Sequence, residues 1–485
     1  MDQNKTKNSI KVIVMAAVLG AFAGAVVWTF LKAVSLATDL LWNELPERLG
    51  KALGEAAVNP FAGVPILSDL AGGAVDSLAK VHPGVFIVPV CALGGMLMGL
   101  LHKKYGDYPD ELEVVIGKIK SEKRYDYRPM AVMLSCAFVP LVFGASVGPE
   151  AGLTGIIAGL CYWIADNMKF AKHHADDLSR IGAAATLGGL FRAPLFGIFA
   201  VEEPGGEKEQ GTAENEAVRA DPAKADAKSA AIDLPKPAKV LLYGVATASI
   251  FGTLYAMEAW IGPATEGFPS FTRAPFGAYD LLLIVPYILA GLLIYVLFEA
   301  SEKLCGKAAS RLPAVVPETV CGLVIGLTAL LAPVALFSGE EELLRLAELP
   351  AGIAPLSLGA AGLFKVFLTA FCIRFGMKGG HFFPLIFACA LIGTAVAAAV
   401  FPDPGDHFVF AAGIVTASAL GAQMKKPLAA TMLLSLCFPL TFLIWAFPAA
   451  FVSSRVARLL EQRRRAHVSS GKPDREDPRS QKRQK

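Results

Sequence analysis

Charge is scarce in this sequence. Only 18% of its 485 residues are Asp, Glu, Lys or Arg, against about 25% in soluble domains. Those charges gather at the N-terminus, near 204–239 and in the C-terminal tail. The shortage excludes one large water-soluble core. A CxxC pair is also missing, because the eight cysteines stand singly in apolar segments, which excludes a disulfide framework and a zinc site. No basic stripe is interleaved with aromatics, and the net charge is only +3; nucleic acid is excluded as a partner. No nucleophile–base pair or metal triad lies within the apolar runs, so an intramembrane enzyme or a scaffold is a remote alternative. His173 and His174, with acids at 176–177, occupy KFAKHHADD without further ligands. That stretch reads as a solvated cytoplasmic loop, and neither metal nor cofactor is expected.

What is there instead is apolar: 54% of the residues are hydrophobic, and the mean hydropathy is +0.51. Apolar runs fall at 12–41, 84–102, 129–146, 151–168, 181–201, 238–262, 279–299, 320–337, 357–376, 382–401, 408–422 and 428–454. Several are shorter than the roughly 20 residues a spanning helix needs, and others carry Gly or Pro in mid-run. Interrupted helices are tolerated at membrane depth only where they face protein or a polar cavity, and they point to a transporter's binding site. The expected class is therefore an all-α integral membrane protein with many short, tilted and broken helices. Lys5, Lys7 and Lys11 precede a first run too long for a signal peptide. Together with Arg455, Arg458 and Arg463 to Arg465 they put both termini in the cytoplasm of a multi-pass cell-membrane protein.

An internal repeat is legible. GAAATLGGLFRAPLFG (182–197) aligns with VTASALGAQMKKPLAA (415–430) at an offset of 233, which brings Pro194 onto Pro427, Leu187 onto Leu420, Gly188 onto Gly421 and Arg192 onto Lys425. The same offset carries Val12 to Val245. The organisation expected is a first membrane repeat at 1–203, a charged disordered linker at 204–237, a second repeat at 238–460 and a charged disordered tail at 461–485. The linker and tail hold too little apolar bulk to order themselves.

The offset also sets Val147-Gly148-Pro149-Glu150 on Gly380-His381-Phe382-Phe383. Each is a Gly/Pro-rich break followed by an apolar helix. A helix N-terminus carries unpaired N–H groups and about half a positive charge, so two facing termini make an anion site without a cationic side chain. The backbone of Gly148, Pro149, Ala151, Gly380, His381, Phe382 and Phe383 is the candidate site. Glu150 stands inside FGASVGPEAGLTGIIAGL, where a charge costs about 2.5 kcal/mol or more. A carboxylate there mimics the anion: it occupies the site when charged and leaves when protonated, serving as gate and proton acceptor.

These residues carry a family resemblance. Gly148-Pro149-Glu150 resembles the Gly-x-Glu core of the CLC chloride channel and transporter family. Gly380-His381-Phe382-Phe383-Pro384 is similar to its Gly-x-Phe-x-Pro motif. Ala193-Pro194-Leu195-Phe196-Gly197, leading to Glu202-Glu203, is similar to its Ala-Pro-Leu-x-Gly helix and following acidic pair. The resemblance covers about residues 12–455. It implies a CLC-like inverted repeat, a homodimer with one anion pathway per subunit, and a gate at Glu150 closing the outer end. It implies transport of small inorganic anions, chloride or fluoride, coupled to proton antiport, with a passive CLC-type channel as the alternative. Glu203 or Glu202 would then be the internal proton-transfer residue, although an ungapped count puts Pro204 at that position. The chain departs from the pattern elsewhere. Ala151-Gly152 replaces Gly-Pro, no tyrosine follows Tyr295, and Asp107 stands where the first anion-binding motif has serine. Either Asp107 caps the helix start at Asp110-Glu111 or the inner gate is altered.

Overall fold

The computed structural model describes residues 3–53, 85–121, 125–167, 175–204, 236–265, 270–271, 273–346, 354–401 and 407–470. Among these, seven helices are long and apolar enough to cross a membrane, and five shorter apolar helices accompany them. The first half contains α1 (Gln3–Asp39), which runs through a π-turn into α2 (Leu45–Leu53), then α3 (Ile87–Tyr105), α4 (Leu112–Ser121), α5 (Met130–Val142), α6 (Glu150–Asn167), α7 (Ala175–Leu190) and α8 (Pro194–Glu202). There follow α9 (Lys236–Ile261), α10 (Ala278–Leu282), α11 (Ile284–Ala309), α12 (Val316–Leu331), α13 (Glu340–Leu346), α14 (Pro355–Arg374), α15 (Phe382–Val400), α16 (Phe408–Met424), α17 (Pro427–Leu433) and α18 (Leu443–Ser470).

The repeat is visible in the backbone. Arg192 and Lys425 both adopt the left-handed conformation, at φ 46° and 54°. The residues after them, Ala193 and Lys426, have φ/ψ of −124°/85° and −125°/87°. Two non-glycine residues in a disfavoured conformation, 233 positions apart, mark the same turn made twice. The order of the helices also repeats. The series α3–α8 is matched in order by α12–α17, and α9 packs on α7 as α18 packs on α16. On that order α9 closes the first repeat, the division falls between α9 and α10, and α11 is the counterpart of α1. Residues 205–235, most of the expected linker, lie outside the described residues, as do 471–485 of the tail.

The two repeats touch through small residues. On α3, a Cβ at Gly95 would meet the Glu318 carbonyl of α12; at Gly322 of α12 it would meet the Cys91 carbonyl of α3; at Gly326 it would lie 2.6 Å from Val88 Cα. In a membrane such close backbone approach is a principal source of helix–helix attraction. Burial is greatest along α15 and α16, where nearly every side chain is covered on all faces. The sheath of other helices around them puts the N-terminus of α15 in the interior.

Candidate functional site

The site is built where α5 and α14 stop. Helix α5 ends at Val142, with Phe143 as its C-cap; Gly144 (φ 79°) turns the chain, with the Trp42 ring against it, and residues 145–149 run on to α6. Helix α14 ends at Arg374; Gly376 (φ 90°) turns the chain and residues 377–381 run on to α15. The two breaks meet as an antiparallel bridge. The Gly148 N–H donates to the Gly380 carbonyl at 2.7 Å, and the Gly380 N–H donates to the Gly148 carbonyl at 2.7 Å. Hydrogen bonds that no helix supplies are thus satisfied between the repeats, as buried backbone requires.

Glu150, the first residue of α6, is fully buried. Its Oε1 accepts the Phe382 N–H at 2.9 Å, at the N-terminus of α15. The carboxylate therefore sits on the helix end contributed by the other repeat. Both bridge glycines are necessary for this. A Cβ on either Gly148 or Gly380 would overlap the Glu150 carboxyl group. Four rings cluster at the head of α15: Phe191 stacks on Phe383 at 4.4 Å and meets Phe196 edge-on at 4.9 Å, and Phe382 lies beside both. Ala151 is buried on the first turn. The His381 ring lies 4.6 Å from that of Phe382 and 5.4 Å from that of Phe298.

A small cavity opens beside Phe383, lined by Arg192, Glu258 and Glu340 among others. Arg192 pairs with Glu258 at 2.5 Å. Burial, then the nearby Glu150 charge, hold the Glu340 carboxyl above the usual carboxylate range.

The other residues singled out in the sequence are placed as follows. Asp107 neither caps a helix nor stands alone: its carboxylate pairs with Lys378 Nζ at 2.7 Å, two residues before Gly380. It lines a cavity of about 310 Å³ among α3, α12 and α14. Glu202 accepts the Tyr243 hydroxyl at 2.6 Å and lies 3.5 Å from Arg180. Glu203 accepts the N–H groups of Leu428 and Ala429 at 3.1 and 2.8 Å, capping α17. His173 and His174 lie outside the described residues, and Asp177 pairs with Lys239 at 3.1 Å.

One supporting residue escaped the sequence reading. Lys365 of α14 is fully buried. Its Nζ donates to the carbonyls of Ala335, Leu336 and Phe337 at 3.1, 2.7 and 2.7 Å. Phe337 in turn donates its N–H to the Gly144 carbonyl at 3.2 Å and packs against Trp42. One helical turn on, Thr369 shares a 2.9 Å hydrogen bond with Ser146. Lys365 thus fixes the segment that leads into the break before Glu150. Its signal was available, as a charge in the middle of the run 357–376.

A multi-pass membrane protein whose two inverted repeats present broken-helix N-termini to one buried carboxylate belongs to the transporter and channel class built on half-helices. The chain is a member of the voltage gated chloride channel family, whose family model matches residues 94–458. It is 24% identical over 401 residues to chloride channel protein CLC-e of Arabidopsis thaliana, covering 79% of this chain and 49% of that protein. The chain thus spans about half the length of that relative. Its fold matches the crystal structure of a CLC-type fluoride/proton antiporter at a TM-score of 0.63, with 17% identity over 92% of this chain and 96% of the other. It matches a slow cyanobacterial Cl⁻/H⁺ antiporter at 0.64, with 17% identity over 95% and 98%.

Proposed function

We propose that this protein exchanges a small inorganic anion, chloride or fluoride, for protons across the cell membrane, with Glu150 as gate and proton acceptor. The observation that carries the reading is the hydrogen bond from the Phe382 N–H to Glu150 at the head of α15. A carboxylate held by a helix N-terminus occupies the place that suits a dehydrated anion. When protonated it loses the attraction to that helix end and vacates the site. An anion then finds the N–H groups of Ala151, His381, Phe382 and Phe383, with Gly148, Pro149 and Gly380 shaping the backbone around it. Binding by dipoles rather than by a buried cation keeps affinity moderate, which release requires. Both termini face the cytoplasm on this reading, and the protein works as a homodimer.

The test is simultaneous recording of proton and anion flux in liposomes, with chloride and fluoride compared. An imposed anion gradient should drive protons, and Glu150→Gln should abolish the proton movement. Anion flux unaccompanied by protons in the unmutated protein would sink the exchange reading. It would favour the passive channel, which the engagement of Glu203 in capping α17 also supports.

A further inference from the structure

The cavity of about 310 Å³ holds a pair of buried groups that nothing above employs. His102, near the end of α3, and Glu318, in the first turn of α12, have side chains only 8% and 11% exposed, and both line that cavity. His102 Nδ1 lies 3.1 Å from Glu318 Oε1, and Nε2 lies 2.8 Å from the Tyr108 carbonyl oxygen. Both partners are acceptors. A neutral imidazole has one donor and one acceptor nitrogen, so it can satisfy only one of them. It would turn a lone pair toward the other. The arrangement is complete only when the pair holds one extra proton, carried either as imidazolium facing carboxylate or as a protonated Glu318 donating to Nδ1.

The surrounding charges leave that proton to the pair. Asp107 stands 3.8 Å from His102 but is held by Lys378 at 2.7 Å. Arg374 is engaged by Glu302 at 2.8 Å and by Glu111 at 3.5 Å. Lys103 lines the same cavity. The thiol of Cys136 on α5 faces His102, and Cys321 lies three residues after Glu318 on α12 with its thiol toward Cys372. The pair also lies against the loop that carries the gate's contact. A Cβ at Gly376 would lie 2.6 Å from Glu318 Cγ, whereas one at Gly380 would overlap the Glu150 carboxyl. Four peptide units separate those glycines, about 14 Å of chain at most.

We propose that the His102–Glu318 pair is the proton-loading site at the cavity end of the pathway. It takes a proton from cavity water and delivers it, through water beside the Gly376–Gly380 loop, to the Glu150 carboxylate. The pair returns to neutral imidazole and carboxylate, and Glu150 becomes the neutral acid that leaves α15. The acidic pair suggested by sequence is differently employed, Glu203 as a helix cap and Glu202 by Tyr243 and Arg180. The proposal deepens the exchange reading and rests on it.

The experiment measures the ratio of protons to anions moved in liposomes under an imposed chloride gradient. Glu318→Gln and His102→Gln should each lower that ratio at least tenfold, and Glu318→Asp, which keeps a carboxyl group, should recover most of it. A ratio unchanged in both variants, or lost in Glu203→Gln instead, overturns the assignment. So does loss of anion flux in step with proton flux in both variants, because the pair would then be structural. The unmutated protein separates the two levels: if it moves anions without protons, the exchange reading fails first.

Discussion

At the scale of single residues, the site depends on an absence of side-chain atoms as much as on Glu150. Gly380 leaves the space into which the carboxyl fits, and a methyl group there would overlap it. Gly380→Ala should therefore push Glu150 off α15 while leaving its carboxyl intact. The lost hydrogen bond involves a charged acceptor, worth about 1.5–3 kcal/mol, or about tenfold or more in the closed-to-open ratio. Anion flux into liposomes at alkaline pH should rise by that factor and lose most of its pH dependence. Flux as low as in the unmutated protein would show that the carboxylate does not block the pathway. Glu150 was legible in sequence because a lone charge in an apolar run is costly. Lys365 carried the same signal and was passed over, since nothing in the run 357–376 indicates which carbonyls it reaches. His102 and Glu318 were illegible for a different reason. They stand at the ends of apolar runs, where a charge ordinarily meets water, and only folding buries them together.

At the scale of elements, the breaks are held by helices remote from them in sequence. Lys365 ties α14 to residues 335–337, which carry the contact to Gly144. Lys365→Met fills similar volume but strips the donor from three carbonyls. Each buried carbonyl left without its donor costs about 1–3 kcal/mol. Thermal unfolding in detergent should occur several degrees lower, and Lys365→Arg should retain more stability than Lys365→Met. A second prediction concerns α3 and α12. Gly322→Val places branched carbons against the Cys91 carbonyl and must part the two helices. Overpacking of this kind costs about 1–3 kcal/mol, and because α12 carries Glu318, proton movement should suffer along with melting temperature. The element boundaries were harder to read than their existence. The run 129–146 ends as helix at Val142 although residues 143–148 continue without a charge, so the break is written in Gly144 and Gly148 and not in polarity.

At the scale of the whole molecule, the parts before and after residues 205–235 are joined less by the chain between them than by their packing. Helix α1 lies along α9, α3 along α12, and α8 against α17. The bridge between Gly148 and Gly380 and the Glu150–Phe382 bond close the middle. The covalent connection through residues 205–235 adds no apolar area that these contacts need, since that segment is rich in Ala, Lys, Glu and Asp. A cut there should therefore be harmless. Cleavage at a protease site placed near residue 220, in reconstituted protein, should yield two fragments that stay associated in mild detergent and retain anion flux within about twofold. Loop closure contributes only a slowly varying entropy, small beside the helix–helix contacts that persist. Separation of the fragments on size exclusion, or flux lost on cleavage, would mean that the segment itself holds the halves in register. The cut also bears on the repeat boundary. If α9 closes the first repeat, it must stay docked on α7 and α1 although its only covalent link is to the second fragment. Crosslinking cysteines placed at Lys32 and Pro263, where the lysine Nζ reaches the proline carbonyl at 3.0 Å, should then capture the two fragments as one band after cleavage.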